Sequence, residues 1–368
     1  MADTPTAAYS LRLRVRLDNR PGTLGALAAK LGAVEANIIA IEGFEAKSAV
    51  LEQDITVNAR SLEHQDQIVA ACKEVEGVTL LDVSDRTMAM HDGGKIEVLS
   101  LAPVADRHDL SMAYTPGVAR VCTEIAEHPD RVYDLTIKRN MVAIVTDGTA
   151  VLGLGDIGPE ASLPVMEGKA LLFKEFAGVD AFPICLDVSS ADEIVETVQR
   201  IAPVFGGINL EDIKAPEAFE VEERLRELLD IPVFHDDQHG TAIVTLAALE
   251  NAAKIIDKPL TDMRVVIAGV GAAGVAITKM LQTAGVPEVI GVDRQGAVWD
   301  GREGLNSSKQ WFAENTNSER RKGTISEVMP GSDVFIGVSG PDLITAEDVK
   351  GMASDPVSYT HLTLPTKA

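Results

Sequence analysis

The chain has 368 residues, 46% hydrophobic and 24% charged, an ordinary composition for a folded globular protein with room for two or three domains. Its 56 acidic residues outnumber 33 basic ones, for a formal charge of −23, which argues against nucleic acid or an anionic membrane as partner because their phosphates would repel it. There is no basic-then-apolar signal segment, no uninterrupted apolar run near about 18 residues, and no CxxC among Cys72, Cys122 and Cys185, so the expected location is the cytoplasm, with reduced thiols.

In chain order, Leu11, Leu13, Val15 and Leu17 alternate with Arg12, Arg14 and Arg16, the period of a half-buried strand. The turn Asp18-Asn19-Arg20-Pro21-Gly22 leads into a helix with Leu24, Leu27, Ala28 and Leu31 on one face. Two strands over 37–41 and 50–57, a helix from Ser61 and a strand over 78–83 complete the order βαββαβ, the split βαβ arrangement of a ferredoxin-like domain. The run Asp18 to Leu24, followed by Asn37-Ile38, resembles an ACT domain, a regulatory module that takes small ligands such as amino acids at the loop after its first strand. The resemblance implies a small-molecule effector here. It also implies a homodimer or larger oligomer, since ACT sheets commonly pair.

The polar segment His91–Lys95 reads as a linker. Beyond it, apolar strands over 141–146, 181–187, 208–213 and 231–234 alternate with helical stretches over 164–176, 191–202 and 216–229, an α/β pattern with strands buried on both faces. Two paired-acid turns stand out. Glu211-Asp212 follows Ile208-Asn209-Leu210, and Asp236-Asp237 follows Val233-Phe234-His235, with Gly240 and Thr241 opening a long helix. Adjacent carboxylates repel one another unless a cation sits between them. Either pair alone reads as a solvated turn or helix cap. Two pairs on neighbouring strand ends can converge on one Mg²⁺ or Mn²⁺, hard cations that take oxygen ligands. Lys169, in Pro164-Val165-Met166-Glu167-Gly168-Lys169-Ala170, is expected at a helix start. Near a cation and partly desolvated, its ammonium form is disfavoured, which suits a general base; without that context it is a solvated helix residue. Tyr114, in Ala113-Tyr114-Thr115-Pro116-Gly117-Val118, either fills a core with a wet hydroxyl or gives a proton to an enolate.

A strand over 263–268 runs into Gly269-Val270-Gly271-Ala272-Ala273-Gly274 and then a helix over 275–284; the next strand, 288–292, ends in Asp293. A GxGxxG between strand and helix, with an acid at the end of the following strand, is a Rossmann dinucleotide fingerprint. The glycines let the backbone, at Gly269, Gly271, Ala272, Ala273 and Gly274, approach a pyrophosphate at the helix N-terminus. Asp293 is expected to hold the adenosine ribose hydroxyls and to repel a 2′-phosphate, so NAD is expected over NADP, with NADP possible through the neighbouring Arg294.

These motifs come in a recognisable order: Tyr114-Thr115-Pro116-Gly117-Val118, Asp147-Gly148-Thr149-Ala150-Val151-Leu152-Gly153-Leu154-Gly155, Glu167-Gly168-Lys169, Leu210-Glu211-Asp212, and Phe234-His235-Asp236-Asp237-Gln238-His239-Gly240-Thr241. With the nucleotide loop they resemble a bacterial malic enzyme carrying an N-terminal ACT domain, over roughly residues 90 to 356. The resemblance implies oxidative decarboxylation of malate to pyruvate and CO₂ with reduction of NAD(P). It makes Lys169 the base on the malate hydroxyl and Asp236 its supporting acid. Glu211, Asp212 and Asp237 become ligands of Mg²⁺ or Mn²⁺, Tyr114 the acid that protonates enolpyruvate, and Ser339 part of the cofactor-side loop. The expected division is 1–90 ACT domain, 91–240 N-terminal catalytic α/β domain, 241–356 incomplete Rossmann-type NAD-binding domain, and 357–368 a tail outside the family. That tail, Val357 to Ala368, does not look like the family's next strand and is similar to a translated adapter. The expectation is therefore a sheet with an unpaired apolar edge and weak activity. Two rivals stay open: an amino-acid dehydrogenase, which needs no metal, and a non-catalytic ACT-containing sensor. A chelator separates the first from a malic enzyme.

Overall fold

The structure is a computed structural model that describes residues 4–46, 49–151, 153–340 and 342–360. They form two compact units, one ending at Val98 and the other beginning at Leu99.

The first unit runs β1 (Thr6–Asp18), α1 (Thr23–Ala33), β2 (Asn37–Ala46), β3 (Val50–Ala59), α2 (Leu62–Lys73), β4 (Val78–Asp85) and α3 (Arg86–His91). Its antiparallel sheet has the order β2-β3-β1-β4, the expected split βαβ topology. The alternation in β1 does what its period dictates. Leu11, Leu13, Val15 and Leu17 face a core with Leu27, Leu31, Ile55 and Ile68. The intervening arginines meet acids of β3, with Arg16 Nε donating to Glu52 at 2.8 Å and Arg12 paired with Asp54. Gly22 sits at φ 95°, a left-handed turn that a side chain would strain, and from there α1 begins.

The second unit opens with α4 (Arg107–Ala113), α5 (Val118–Glu127) and α6 (Val132–Leu135), none of which has a fully buried residue. There follow β5 (Met141–Thr146), α7 (Pro159–Ala177), β6 (Asp180–Cys185), α8 (Ala191–Ile201), β7 (Gly207–Leu210), α9 (Glu217–Leu228) and β8 (Val233–His235). The sheet is parallel, in the order β6-β5-β7-β8. Two helix starts differ from expectation. Helix α7 begins at Pro159, where a missing N–H loses nothing, so Lys169 lies in mid-helix and not at its start. Helix α10 (Asp236–Ile256) begins at Asp236 itself, so both aspartates of the second pair occupy its first turn, where the helix dipole favours negative charge.

A second parallel sheet follows, from β9 (Arg264–Ala268), α11 (Ala272–Thr283), β10 (Glu288–Asp293), β11 (Gly296–Ala297), α12 (Ser307–Asn315), α13 (Ile325–Val328), β12 (Val334–Gly337), α14 (Ala346–Lys350) and β13 (Val357–Thr360). Its order is β11-β10-β9-β12-β13, with only β11 antiparallel to its neighbour. The first residues of the expected tail, Val357 to Thr360, form strand β13, so the sheet's edge among the described residues lies at β13. Val334 to Gly337 pair in register with Val357 to Thr360, and Val357 and Tyr359, alternating toward one face, pack on the apolar core. Residues 361–368 lie outside the described residues. The three cysteines form no disulfide, and no described helix is long and apolar enough to cross a membrane.

Candidate active site

The carboxyl ends of β7 and β8 are neighbours in the sheet, so the residues just beyond them meet. Glu211 and Asp212 follow β7, and Asp236 and Asp237 follow β8 as the first residues of α10. One oxygen from each of Glu211, Asp212 and Asp237 lies within 4.8 Å of the others. Lys169 reaches in from α7, its ammonium 2.8 Å from Asp236 Oδ2 and 3.1 Å from Glu211 Oε1. The backbone tightens the arrangement. The Asp212 N–H donates to Asp237 Oδ2 at 3.2 Å, Asn209 Nδ2 donates to Glu211 Oε2 at 2.9 Å, and the Ala150 N–H donates to the Asp212 carbonyl at 2.9 Å. That last bond, with the Lys214 N–H donating to Thr149 Oγ1, ties the Asp147–Gly155 motif to the first acid pair. Gly240, one turn along α10, leaves the Asp236 carboxylate its place; a Cβ there would stand 2.4 Å from Asp236 Oδ1.

Three acids in one buried corner cannot all be ionised without a counter-charge. Burial pushes Glu211 up to about 8, with Asp237 and Asp236 adding and Lys169 opposing. Burial pushes Asp212 up to about 7, with Asp237 adding. Asp237 is raised for the same reason, opposed by His235 and by the Asp212 N–H. Burial alone would lower the Lys169 ammonium, yet the Glu211 and Asp236 carboxylates overcome it and raise its pKa. The sequence expectation of a lowered value applies to a lysine beside a bound cation, whose charge would oppose those carboxylates. Asp212 Oδ2 is buried with no hydrogen-bond partner among the described residues. An all-oxygen set with one orphaned buried oxygen fits a hard divalent cation.

The glycine loop between β9 and α11 is shaped by close backbone approach. Gly269 has φ 117°, and a Cβ on Gly274 would lie 1.9 Å from the Gly269 carbonyl, so the strand-to-helix turn admits only glycine at that approach. Ala272 and Ala273 begin α11, where the first amides have no intrahelical acceptor. Gly269, Gly271, Asp293 and Ser339 line a cavity of about 830 Å³ together with Arg294, Asn306 and Lys309. Asp293 is not a bare carboxylate. Oδ1 accepts from Arg302 at 2.8 Å and from the Gln295 N–H at 2.9 Å, and Oδ2 accepts from Lys309 at 2.7 Å. The acid on which the NAD expectation was based is thus paired with two cations. Sequence reading missed Arg302 and Lys309, which lie 9 and 16 residues beyond Asp293. No motif marks such spacings.

Tyr114 makes no hydrogen bond with the lysine or its acids among the described residues. It caps α4, is 67% exposed, and its hydroxyl makes no hydrogen bond among the described residues. Its surroundings are open: α4 and α5 have no fully buried side chain, and Leu110 and Met112 are exposed beside the tyrosine.

Residues 93–192 and 188–226 match the family model for the malic enzyme N-terminal domain, and residues 238–358 match the malic enzyme NAD binding domain. The NAD-dependent malic enzyme of Geobacillus stearothermophilus is 55% identical over 353 residues, covering 96% of this chain and 74% of that one. The NADP-dependent malic enzyme of Halomonas elongata is 48% identical over 268 residues, 72% of this chain and 63% of that one. Among solved structures, the NAD-dependent malic enzyme of Thermotoga maritima superposes with a TM-score of 0.72 at 46% identity, covering 75% of this chain and 74% of that one.

Proposed function

The chain belongs to the malic enzyme family, and on that premise we propose that it oxidises (S)-malate to pyruvate and CO₂ while reducing a nicotinamide dinucleotide. The observation that carries the reading is the Lys169 ammonium, 2.8 and 3.1 Å from Asp236 and Glu211, at the edge of a three-carboxylate cluster. Lys169 takes the proton of the malate C2 hydroxyl, and Asp236 holds and orients its amine. Glu211, Asp212 and Asp237 hold Mg²⁺ or Mn²⁺. The two bound groups would supply what the side chains cannot, Lewis acidity toward the substrate and an acceptor for the hydride. Gly269, Gly271, Ala272, Ala273 and Gly274 take the pyrophosphate on backbone amides, with Asp293 and Ser339 on the cavity wall. Tyr114 returns a proton to C3 of the enolate. Because it stands on an exposed apolar segment, this role calls for that segment to be covered, and we propose a homo-oligomer, dimer or larger, that covers it. The first unit acts as an ACT regulatory domain for a small-molecule effector, and the enzyme works in the cytoplasm.

The test is an assay with L-malate, Mn²⁺ and either NAD or NADP, following reduced cofactor and pyruvate together. Equal formation of both, abolished by a chelator and restored by Mn²⁺, is expected. Reduced cofactor without pyruvate, or turnover that survives the chelator, refutes the reading. An amino-acid dehydrogenase needs no three-carboxylate site, so the same chelator step excludes it.

A further inference from the structure

Helix α10 carries Asp236 and Asp237 in its first turn, yet no side chain caps that turn. His235 stands at the N-cap position without a side-chain bond to the helix, and both its ring nitrogens are buried with no hydrogen-bond partner among the described residues. An uncapped first turn leaves amides without acceptors and is the part of a helix that frays. Side-chain bonds must hold it instead. On one face, Asp237 Oδ2 accepts from the Asp212 N–H at 3.2 Å. His239 lies two residues on, about 200° round the helix, so it leaves from the opposite face. There its Nε2–H donates to Glu222 Oε1 of α9 at 2.7 Å, and its ring lies 5.6 Å from that of Phe234 on β8. The Glu222 side chain is 8% exposed and makes no other hydrogen bond among the described residues.

We propose that His239 and Glu222 are positioning residues, a clamp that takes the place of the missing cap and holds Asp236 and Asp237 in register with Lys169 and the first acid pair. The inference rests on the reading of Glu211, Asp212 and Asp237 as the metal ligands. Helix α9 follows the first acid pair in the chain, and α10 begins with the second, so a bond between these helices fixes one pair relative to the other. A hydrogen bond to a carboxylate is short and directional, which suits it to set the rotation of a turn. Without the clamp the turn is held on one face only and can roll about its axis. Such a roll carries Asp236 and Asp237 together, away from Lys169 and from the other two ligands. The glycine loop between β9 and α11 is not part of that turn and keeps its shape. The clamp is also within reach of small molecules. His239 lines a cavity of about 700 Å³ with Phe219, Glu222, Gln238 and Lys279, bounded by α9, α10 and α11.

The test needs no turnover. The full chain is titrated by calorimetry with Mg²⁺ and, separately, with ADP-ribose as a probe of the glycine loop. His239→Ala should weaken Mg²⁺ about tenfold or more, the usual cost of losing a residue that orients a ligand, and leave ADP-ribose within about twofold. Added imidazole should restore most of the loss, because the cavity admits it to the vacated place. The similar 1-methylimidazole, whose methyl group blocks the donor, should not. Glu222→Leu should match His239→Ala, and the double variant should be no worse than either, as for two ends of one bond. Circular dichroism checks that each variant is folded, and His239→Gln, which keeps a donor, replaces His239→Ala if the latter is not. The proposal is overturned if the variant binds Mg²⁺ within about twofold of the unmodified protein, or loses Mg²⁺ and ADP-ribose alike. It is equally overturned if both imidazoles rescue alike or the two single losses add. If the unmodified protein itself binds no Mg²⁺, the metal reading falls first and takes the clamp with it.

Discussion

Stripped of divalent cations, the protein should lose stability as pH rises, and a cation should reverse the trend. Glu211 is pushed up to about 8 and Asp212 to about 7, chiefly by burial. In an unfolded chain the same groups titrate near about 4.3 and 3.9. A folded pKa above the unfolded one means that the folded state holds extra protons in between. The stability carried by the neutral carboxyls is therefore complete below about pH 4 and is lost as pH climbs through about 7 to 8. At about 1.4 kcal/mol per pK unit, two groups shifted by about three units each set a ceiling of about 8 kcal/mol. Relaxation and water entry reduce this to several kcal/mol, on the order of 10 °C in Tm for a unit of this size. A cation needs the ionised carboxylates, so its binding expels protons. Near pH 7 both groups hold protons in the ion-free site, which predicts that ion binding releases about one proton or more from these two. Melting curves in chelator and in Mg²⁺ from about pH 5 to 8.5 test the first statement, and Mg²⁺ titration calorimetry in two buffers of different ionisation enthalpy tests the second. An ion-free Tm that is flat or rises with pH, or binding heats independent of buffer, would show that these carboxyls are ionised in the empty site and that the electrostatic reading is wrong.

Lys169→Ala should lower kcat by at least about a thousandfold while Mg²⁺ still binds, the combination expected of a base that is not a ligand; loss of the calorimetric Mg²⁺ signal would recast the lysine as a structural counter-charge. Gly240→Ala places a methyl 2.4 Å from Asp236 Oδ1. That carboxylate can swing away, so Tm should change little while kcat falls about tenfold through a misplaced Lys169; unchanged kinetics would remove Asp236 from the mechanism. Gly274→Ala meets the Gly269 carbonyl backbone at 1.9 Å, which cannot swing away. Roughly 2 kcal/mol or more of stability and the calorimetric binding of ADP-ribose should both be lost, and retention of either would mean that the cradle differs from the one described.

The sequence made the parallel sheets, the split βαβ unit and the acid pairs legible because each leaves a local mark: a period of two, an apolar run, a doublet of carboxylates at a strand end. It did not make helix starts legible. Pro159 and Asp236 begin helices several residues ahead of the apolar pattern, since what sets a start is a free first-turn amide and a favourable dipole, not hydrophobicity. Nor did it show the state of a charge. Lys169 and Asp293 both take their charge partners from residues distant in the chain, Glu211 and Asp236 for the lysine, Arg302 and Lys309 for the aspartate, and no local pattern marks such pairs. Strand β13 was missed for a related reason. Val357-Ser358-Tyr359-Thr360 is a short alternating run whose identity as a strand comes from pairing with Val334 to Gly337.

The lysine and the carboxylates make one device. A base must shed its proton near neutral pH, yet Glu211 and Asp236 hold the Lys169 proton more tightly than water would. Mutating those acids away would free the amine and lose the acid that orients it and one that binds metal. The arrangement avoids the conflict by giving the acids different exposures. Glu211, with 7% of its side chain open, cannot carry charge comfortably until a dication joins it, whereas Asp236 is 37% open to solvent. Committing Glu211 to a cation withdraws one of the two charges that stabilise the ammonium and adds a repelling one. Under the proposed roles, metal dependence and lysine basicity would both follow from the same buried glutamate, and neither could be engineered in this site without moving the other.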